Sequence, residues 1–522
     1  VVDTLEQKNI VKVFEVLRPF DEEIVEVCPD RVSLTPEQQT AVETIGKSIE
    51  NGENKTFLIN GVTGSGKTEV YLNLIEKCVH QKKQSLFLVP EISLTPQMVS
   101  QVKSRFGSDV AVIHSMLTVR KRYDEWKRIN EGSVSVVVGA RSAIFSPLKR
   151  LGLIIIDEEH EGTYKSESSP RYHTVEVARF RAKSEGATLV LASATPSFES
   201  YWRAESGKYT LIELKNRVNN KALPSVITID MRKELENGNF SIFSERLKSE
   251  IAKNLKNKQQ TILFLNKRGF SSFVSCRKCG YVPKCPNCDI SLTYHKKGEY
   301  LVCHYCDYKM EKCDVCPSCG SEQIRFFGLG TQKVTEEIEK LFPSATYLRM
   351  DADTTSRRFA HEEILNKFRT EKTDILVGTQ MITKGLDFEN VTLVGVIAAD
   401  LSLYRDDFRS GEKTFSLLAQ VIGRAGRGDT EGRAVVQTYY PENEIFEYAA
   451  NQNYEKFYKN EIVLRRQMLY PPFCEIMIFT SASDSEKCAF DTLLNFRSAL
   501  LEKIKEKSVM ADVFGVQSAP MH

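Results

Sequence analysis

The chain has 522 residues, of which 41% are hydrophobic and 27% are charged, and its formal net charge at pH 7 is +2. These values are typical of an ordinary globular protein with three or four domains, each large enough to bury its own core. No stretch approaches the roughly 20 apolar residues that span a bilayer, so no membrane segment is predicted. Because the net charge is so near zero, any nucleic acid is expected to bind at local basic patches.

The first long section of the chain has the pattern of a parallel sheet covered by helices. Residues 1–33 mix polar and apolar side chains and suggest no chemistry by themselves, but from Leu34 to about Arg203 short apolar runs alternate with amphipathic helices. Buried strands are predicted at 56–60, 85–90, 110–114, 134–138, 153–157 and 188–192. Strands that alternate with helices indicate a doubly wound α/β sheet.

The same alternation occurs a second time and is interrupted once. A strand is predicted at 260–265, a cysteine-rich region follows, and the α/β pattern resumes near Arg325. Further strands are predicted at 346–350, 374–378, 391–397 and 434–438. We therefore predict two α/β lobes separated by a cleft that opens and closes, a cysteine-rich insertion in lobe two, and a small helix-rich domain after Tyr440.

A phosphate-binding loop follows the first predicted strand. The string Gly61-Val-Thr-Gly64-Ser-Gly66-Lys67-Thr68 lies between that strand and a helix, which is the context that a Walker A loop requires. Its glycines allow backbone N–H groups to surround phosphates at a helix N-terminus. Lys67 is predicted to reach the β- and γ-phosphates of ATP and Thr68 to ligate Mg²⁺. An ordinary glycine-rich turn is the weaker interpretation.

An acidic cluster ends another predicted strand. Asp157, Glu158, Glu159 and His160 follow the apolar run Leu-Ile-Ile-Ile. Charged groups at the tip of a buried strand are costly unless they have a function there. Asp157 is the predicted Mg²⁺ partner, and Glu158 is the candidate that activates the attacking water. A surface acidic turn is the alternative.

Two arginines near the end of lobe two complete the predicted site. In Gln420-Val-Ile-Gly-Arg424-Ala-Gly-Arg427 the arginines are three residues apart, which places them on one helical face. Directed across the cleft, Arg424 and Arg427 are candidates to stabilise charge on the γ-phosphate. Considered alone, the string is also compatible with a solvated basic face.

Eight of the thirteen cysteines form four C-x-x-C pairs inside lobe two. They are Cys276, Cys279, Cys285, Cys288, Cys303, Cys306, Cys316 and Cys319. Each pair places two thiolates on one turn, and two turns complete a tetrahedral Zn²⁺ site, so two zinc ions are predicted. The spacing leaves open which pairs share a metal. Reduced metal-binding thiols fit the cytoplasm better than a disulfide scaffold does.

Together these motifs resemble superfamily 2 helicases, and the cysteines inside lobe two narrow the resemblance to the PriA family of bacterial replication-restart helicases. The resemblance extends from about Leu34 to the end of the chain. It implies that Gln38 recognises adenine, that Thr379 lies near the DNA backbone and that Asp387 lies near the nucleotide. Residues 87–97 and 139–147 resemble strand-contacting motifs, and Ser193-Ala-Thr195 resembles the element that couples hydrolysis to lobe movement.

The resemblance also implies a pairing of the cysteines and an aromatic-rich loop. It assigns Cys276, Cys279, Cys316 and Cys319 to one zinc, and Cys285, Cys288, Cys303 and Cys306 to the other. Cys313 is expected to remain unbound, and His295 and His304 are expected not to be ligands. Tyr164, Arg171 and Tyr172 match a loop that senses single-stranded DNA through base stacking. For Tyr164 a plain surface loop is nearly as good an interpretation.

The expected domain boundaries combine the patterns with the resemblance. Residues 1–33 are expected to be the tail of an N-terminal DNA-binding, winged-helix region and a linker, 34–215 lobe one, 216–440 lobe two with the insertion at 275–320, and 441–522 a C-terminal domain that stops short. The lobes are expected to be RecA-like. A leading domain that binds the 3′ end of a nascent strand is expected to be missing.

The function that these features imply is ATP-dependent 3′-to-5′ DNA unwinding at stalled or collapsed replication forks, with primosome assembly. Forked and single-stranded DNA, primosome proteins and single-stranded-DNA-binding protein are the implied partners of a cytoplasmic monomer. ATP is the expected substrate, and Mg²⁺ and two Zn²⁺ are the expected cofactors. Two alternatives stay open: a binding platform whose ATPase acts only as a switch, and an RNA helicase.

Overall fold

A seven-stranded parallel sheet forms lobe one in the computed structural model. The structure describes residues 33–90, 96–218, 223–266, 274–295, 300–306, 308–326, 330–351, 354–355, 360–383, 388–404, 407–426 and 430–516. The strands are β1 (Thr56–Gly61), β2 (Gln84–Leu88), β3 (Val110–Ile113), β4 (Val136–Gly139), β5 (Leu151–Asp157), β6 (Thr188–Ser193) and β7 (Thr210–Leu214). Their order in the sheet is β3-β4-β2-β5-β6-β1-β7, and every neighbouring pair is parallel.

Six helices surround this sheet. They are α1 (Pro36–Asn51), α2 (Lys67–His80), α3 (Pro96–Phe106), α4 (Val119–Glu131), α5 (Thr174–Glu185) and α6 (Phe198–Glu205). Because helices pack on both faces, the central strands are buried along their whole length: all residues of β2, β4 and β6 are buried. This burial explains the continuous apolar runs from which the strands were predicted.

Lobe two contains a second parallel sheet of six strands. The elements before the cysteine-rich region are β8 (Ser225–Asp230), α7 (Met231–Glu236), α8 (Glu245–Lys256) and β9 (Gln260–Leu265). The elements after it are α9 (Thr331–Leu341), β15 (Tyr347–Met350), α10 (Ala360–Thr370), β16 (Ile375–Gly378), β17 (Val391–Ile397), α11 (Asp400–Leu403), α12 (Ser410–Ile422) and β18 (Arg433–Thr438). The sheet order is β15-β16-β9-β17-β18-β8, so elements on either side of the interruption share one sheet. This confirms the predicted insertion in lobe two.

The insertion, here called the cysteine module (residues 274–326), contains only short antiparallel strands. They are β10 (Val274–Cys276), β11 (Thr293–His295), β12 (Tyr300–Val302), β13 (Lys309–Glu311) and β14 (Ile324–Phe326). Strands β10 and β14 pair with each other, and β11, β12 and β13 form a meander. The small core of the module combines four buried cysteines with five aliphatic side chains, among them Leu301 and Ile324.

All eleven predicted strands are present, with ends shifted by up to two residues, but two strands of the lobe sheets were missed. The missed strands β7 and β8 lie at sheet edges, where β7 pairs only with β1 and β8 only with β18. In both strands the first and fourth residues are exposed, so neither has a continuous apolar run. The sequence signal is weak at these positions because an edge strand is only partly buried.

The helices after Tyr440 differ in how much they bury. Helices α13 (Ile445–Ala450) and α14 (Tyr454–Gln467) pack into the main hydrophobic core, which includes strands of both lobes. Tyr454 donates a hydrogen bond to the carbonyl of Pro196 in lobe one at 2.7 Å. By contrast, α15 (Glu486–Lys507) has no buried residue. Among the described helices, none combines the length and the apolar character that a membrane span requires.

Candidate active site and metal centres

The loop between β1 and α2 has the shape of a phosphate cradle. Gly64 and Gly66 adopt positive φ angles of 84° and 73°, which side chains with a Cβ rarely adopt. A Cβ on Gly66 would lie 2.4 Å from Nε2 of Gln38, and a Cβ on Gly61 would lie 2.7 Å from Oγ of Ser65. The loop leads into the N-terminus of α2, which begins at Lys67, where backbone N–H groups and the helix dipole favour an anion.

Gln38 connects the start of α1 to this loop. Its carboxamide oxygen accepts from the backbone N–H of Thr35 at 2.9 Å, and its Nε2 donates to the carbonyl of Ser65 at 2.8 Å. Thr35 caps the same helix in return, forming a capping box. The side chain of Gln38 is buried. The structure therefore fixes Gln38 against the phosphate cradle, and its predicted contact with adenine stays a prediction.

Lys67 and Asp157 meet beside the cradle. The ammonium group of Lys67 donates to the carbonyl of Gly61 at 2.8 Å, and the hydroxyl of Tyr71 donates to Oδ1 of Asp157 at 2.8 Å. Burial, reinforced by the nearby charge of Glu158, raises the pKa of Asp157 to about 6, although Lys67 acts in the opposite direction. Thr68 lies in the first turn of α2, next to Lys67. A carboxylate and a threonine hydroxyl are both oxygen donors of the kind that Mg²⁺ prefers.

Glu158 occupies a strained position with an unsatisfied oxygen. Its φ is +47°, in the left-handed region. Its buried Oε2 has no hydrogen-bond partner among the described residues, and Nδ1 of His160 lies 3.5 Å away. Buried polar atoms are rarely left without a partner, so such an exception is a marker of function. The carboxylate is suited to accept a hydrogen bond from a water molecule at this edge of the sheet.

His160 joins the two lobes. Its Nδ1 is hydrogen-bonded to the hydroxyl of Ser193 in lobe one at 2.7 Å, and its Nε2 to the hydroxyl of Ser416 on α12 in lobe two at 2.9 Å. Ser416 is also hydrogen-bonded to Thr195 at 2.7 Å, and Gln420 contacts Nε2 of His160 at 3.2 Å. The acidic cluster, the Ser193–Thr195 element and α12 are therefore parts of one hydrogen-bond network across the cleft.

Arg424 lies at the end of α12 and faces this network. Burial lowers the pKa of its guanidinium to about 10, and the negative charge of Glu158 partly offsets that effect. A buried arginine close to a carboxylate is placed to compensate negative charge in the cleft. The other predicted finger, Arg427, lies outside the described residues, as does Asp387.

Arg217 is a bridging residue that the sequence analysis missed. It follows β7 and donates from Nε to the carbonyl of Thr63 in the phosphate loop at 3.0 Å. Its Nη2 donates to the carbonyl of Gly423, next to Arg424, at 3.1 Å. One nearly buried cation thus connects the phosphate loop with the turn that carries Arg424.

The cysteines gather into two tetrads, and their distances test whether zinc fits. The groups are Cys276, Cys279, Cys316 and Cys319, and Cys285, Cys288, Cys303 and Cys306, with all Sγ atoms of a group within 4.8 Å of one another. Three Sγ–Sγ distances across the pairs are 3.5, 3.6 and 3.7 Å. A tetrahedron with Zn–S bonds of about 2.3 Å requires sulfur atoms about 3.8 Å apart, whereas a disulfide requires about 2.05 Å. The thiols therefore fit zinc in the pairing that the resemblance implied.

The crowded thiols of the tetrads have pKa values shifted in opposite directions. Burial, with hydrogen bonds to neighbouring thiols, raises the pKa of Cys303 to about 12. By contrast, a hydrogen bond from the backbone of Ser321 lowers the pKa of Cys319 to about 7. Four crowded thiols lose their protons together only when a cation shares the site. Cys313 belongs to neither tetrad, and its Sγ lies 3.9 Å from the carbonyl of Glu311.

Known proteins match the chain at both the lobes and the cysteine module. Family models match residues 35–203 (DEAD/DEAH box helicase), 285–310 (PriA DNA helicase Cys-rich region domain) and 319–429 (helicase conserved C-terminal domain). The replication restart protein PriA of Treponema pallidum is 40% identical over 487 residues, which cover 93% of this chain and 72% of that relative. The chain belongs to the PriA family. PriA of Bacillus subtilis is 52% identical over 482 residues, 92% of this chain, and the chain spans 60% of the length of that relative.

The structure corrects one expectation for this PriA-family chain. Tyr164 was expected to present its ring to single-stranded DNA, but the ring is 1% exposed. Its hydroxyl donates to the carbonyl of Asp157 at 2.7 Å and contacts the carbonyl of Leu88 at 3.2 Å. A ring buried behind the acidic cluster cannot stack on a base. Tyr164 therefore fits neither expectation: its ring belongs to the hydrophobic core and lies neither against DNA nor on a plain surface loop.

The other residues expected to contact DNA are accessible or lie at strand ends. Tyr172 is half-buried and packs edge-on against Phe145, with ring centroids 4.9 Å apart, and Phe145 is 56% exposed. Arg171 is exposed beside them. Thr379 follows β16 and donates its backbone N–H to the carbonyl of Met350 at 3.3 Å. Phe145 was not singled out in the sequence, although it lies within a stretch that resembles a strand-contacting motif.

A buried arginine connects the cysteine module to both lobes. Arg465 on α14 forms an ion pair with Glu412 on α12 at 2.6 Å, and its guanidinium lies over the ring of Phe198 in lobe one, 4.1 Å from the centroid. It also lies 5.2 Å from the ring of Phe408, which stacks on Tyr470 at 4.8 Å. The hydroxyl of Tyr470 donates to the carbonyl of Cys288, a member of the second tetrad, at 2.9 Å. A continuous path of contacts thus leads from that tetrad to the cleft.

Proposed function

We propose that the chain is the motor of an ATP-dependent DNA helicase that moves 3′ to 5′ and acts in replication restart. The observation that supports this most directly is the position of His160, which is hydrogen-bonded to Ser193 of lobe one and to Ser416 of lobe two. A change at the acidic cluster therefore changes the contacts between the lobes. This linkage is what a motor driven by hydrolysis requires.

The residues around the cradle have separate roles in hydrolysis. The backbone N–H groups of the loop and the ammonium group of Lys67 bind the phosphates of ATP. Thr68 and Asp157 would hold Mg²⁺, which supplies positive charge that neutralises the phosphates. Glu158 orients a water molecule through its unsatisfied Oε2. The water oxygen bonds to the γ-phosphorus, the bond to the bridging oxygen breaks, ADP leaves, and the water proton passes to the carboxylate or to released phosphate.

Arg424 and Arg217 connect this chemistry to lobe two. Arg424 stabilises the negative charge that spreads over the γ-phosphoryl oxygens in the transition state. Arg217 positions it, because the guanidinium binds the carbonyl of Gly423 and the carbonyl of Thr63 together. Release of phosphate removes the charge that Arg424 compensates. The network around His160 then favours a different arrangement of the lobes, and alternating grip on one strand produces movement.

The cysteine module contributes structure and a surface. Cys276, Cys279, Cys316 and Cys319 would hold one zinc, and Cys285, Cys288, Cys303 and Cys306 would hold the second. Zinc supplies folding free energy to a unit whose own core is small. In the cytoplasm we expect a monomer whose module faces the fork and presents a docking surface to primosome proteins and to single-stranded-DNA-binding protein.

The test is a single substitution with a matched control. Lys67→Ala removes the ammonium group from the cradle, and we expect ATP hydrolysis to be abolished while single-stranded DNA binding stays measurable. Lys77→Ala is the control, because Lys77 lies on the same helix and pairs only loosely with Glu50, at 3.7 Å. Unchanged hydrolysis in the Lys67 variant contradicts the assigned site. ATPase stimulation by RNA in preference to DNA would favour the RNA-helicase alternative.

A further inference from the structure

Helix α4 presents a row of apolar side chains to solvent. Val119, Tyr123 and Trp126 are 85%, 59% and 46% exposed. Their spacing of four and three residues places them on one face of the helix. Ile129 is the only buried residue of α4. Scattered exposed apolar residues are common, but a contiguous row that includes two aromatic rings marks a binding surface.

Positive charge borders this row on both sides. With about 100° between successive residues of a helix, Arg122 lies about 65° from the centre of the row on one side, and Lys127 and Arg120 lie about 75° and 90° from it on the other. The guanidinium of Arg122 donates to the carbonyl of Ser115 at 3.0 Å, which holds it beside the row. Lys127 is 3.8 Å from Glu131, a loose surface pair that leaves its charge available.

Negative charge on the helix lies farther from the row. Asp124 and Glu125 are each about 130° from its centre. Glu125 faces inward: its side chain pairs with Arg128 at 3.1 Å, and burial raises the pKa of its carboxyl group. The row itself is therefore a strip of aromatic and apolar surface between two cationic borders, and an acidic ligand complements it.

The position of α4 indicates which acidic ligand this is. Strand β3 ends at Ile113, and its carbonyl accepts from the backbone N–H of Ala140 at 3.1 Å, at the start of the loop that carries the exposed ring of Phe145. The first turn of α4 therefore begins at the same carboxyl edge of the sheet as this loop. Under the proposed function, that edge faces the single strand on which the motor moves.

We propose that this face of α4 binds single-stranded DNA next to the motor's main track. Tyr123 and Trp126 stack on bases, and Arg120, Arg122 and Lys127 contact phosphates. Stacking on aromatic rings does not depend on base identity, so the surface binds any sequence, as a translocating motor requires. An acidic protein segment is the competing ligand, but the two rings and the two cationic borders favour a strand with a phosphate at every nucleotide. The proposal rests on the proposed function.

The chain offers a local fluorescent probe, because Trp126 and Trp202 are its only two tryptophans. In a Trp202→Phe background, Trp126 fluorescence is titrated with oligo(dT) strands of increasing length. We expect saturable quenching that appears once a strand is long enough to leave the main track and reach α4. Tyr123→Ala is expected to weaken the affinity for such strands about 5- to 150-fold, the loss of one stacked base.

Control variants distinguish DNA binding at this face of α4 from a general effect of removing an exposed ring or a positive charge. Tyr123→Phe keeps a ring and is expected to retain the affinity. Phe180→Ala, which removes a 73% exposed ring on α5, is expected to leave the affinity unchanged. Arg122→Ala and Lys127→Ala are each expected to reduce the slope of log affinity against log salt by about 0.7.

The outcomes that overturn the proposal differ from those that overturn the motor. ATPase activity stimulated by DNA, with no quenching of Trp126 at any strand length and no effect of Tyr123→Ala, refutes the surface and leaves the motor standing. Trp126 fluorescence that changes with an acidic peptide or with protein concentration, but not with DNA, also refutes it. ATPase activity that is indifferent to DNA refutes the proposed function itself.

Discussion

Arg465 allows a quantitative test of how α12, α14 and lobe one are held together. Its side chain is 1% exposed and forms a 2.6 Å ion pair with Glu412, whose side chain is 13% exposed. The other carboxylate oxygen of Glu412 accepts from the backbone N–H of Phe198 at 3.2 Å. Replacing Arg465 with Met keeps much of the side-chain volume over Phe198 but leaves the Glu412 carboxylate buried without its partner.

The expected cost follows from this burial. Removing one member of a buried ion pair destabilises a protein by about 3–5 kcal/mol, mainly because the remaining charge is uncompensated. Since about 1.4 kcal/mol corresponds to a tenfold change in an equilibrium constant, local opening becomes about 100- to 4,000-fold more frequent. Arg465→Met with Glu412→Gln removes both charges and keeps an acceptor for Phe198, so most of the loss is expected to be recovered.

Hydrogen exchange measured by mass spectrometry reports this local opening. Peptides that cover Ser410–Ile422 and Tyr454–Gln467 are expected to exchange faster by the factor above in Arg465→Met, and nearly at the original rate in the double variant. Peptides from β2, which is distant in the fold, serve as the internal control. Equal exchange rates in Arg465→Met and the original chain would show that the Arg465–Glu412 pair does not hold these helices. If the double variant still exchanges as fast as Arg465→Met, the uncompensated charge of Glu412 is not the cause of the opening.

Three further predictions concern the active site and the metal centres. Gly66→Ala is expected to abolish ATP binding, because the new Cβ would lie 2.4 Å from Nε2 of Gln38 at a backbone angle that alanine rarely adopts. Normal ATP binding, measured by calorimetry, would refute the assigned phosphate cradle. The apparent affinity for Mg²⁺ and ATP is expected to fall about tenfold per pH unit below pH 6, because Asp157 has a pKa raised to about 6 and is protonated there. An affinity that stays constant from pH 7 to pH 5 would exclude Asp157 as the Mg²⁺ ligand. Cys285→Ser is expected to lower the zinc content from about two ions per chain to about one. Cys313 lies outside both tetrads, so Cys313→Ser is expected to leave the zinc content unchanged. Equal loss of zinc in the two variants would contradict the ligand sets.

Much of the fold followed from local patterns, and the exceptions have physical reasons. The central strands were predictable because burial on both faces requires continuous apolar runs, as in β6. Edge strands such as β7 lack that requirement and were missed. The division of the cysteines into two tetrads could not be deduced from their spacing, because each pair offers the same two thiols. Only the resemblance indicated the sets that the structure shows.

The two bridging arginines could not have been found in the sequence. Arg217 binds carbonyl groups 154 and 206 residues away, and Arg465 pairs with a carboxylate 53 residues away. Neither arginine belongs to a motif, since only the packing of the lobes brings its partners together. Tyr164 illustrates the opposite case: its position in a loop suggested exposure, but its phenol fills the space behind Asp157 and is satisfied by main-chain carbonyls.

The most direct test of the central claim is ATP hydrolysis by this chain with and without single-stranded and forked DNA, with zinc measured on the same sample. The account predicts strong stimulation by DNA in protein that contains about two zinc ions per chain. Hydrolysis at the same rate with and without DNA, in protein that is fully loaded with zinc, would contradict a DNA-driven motor.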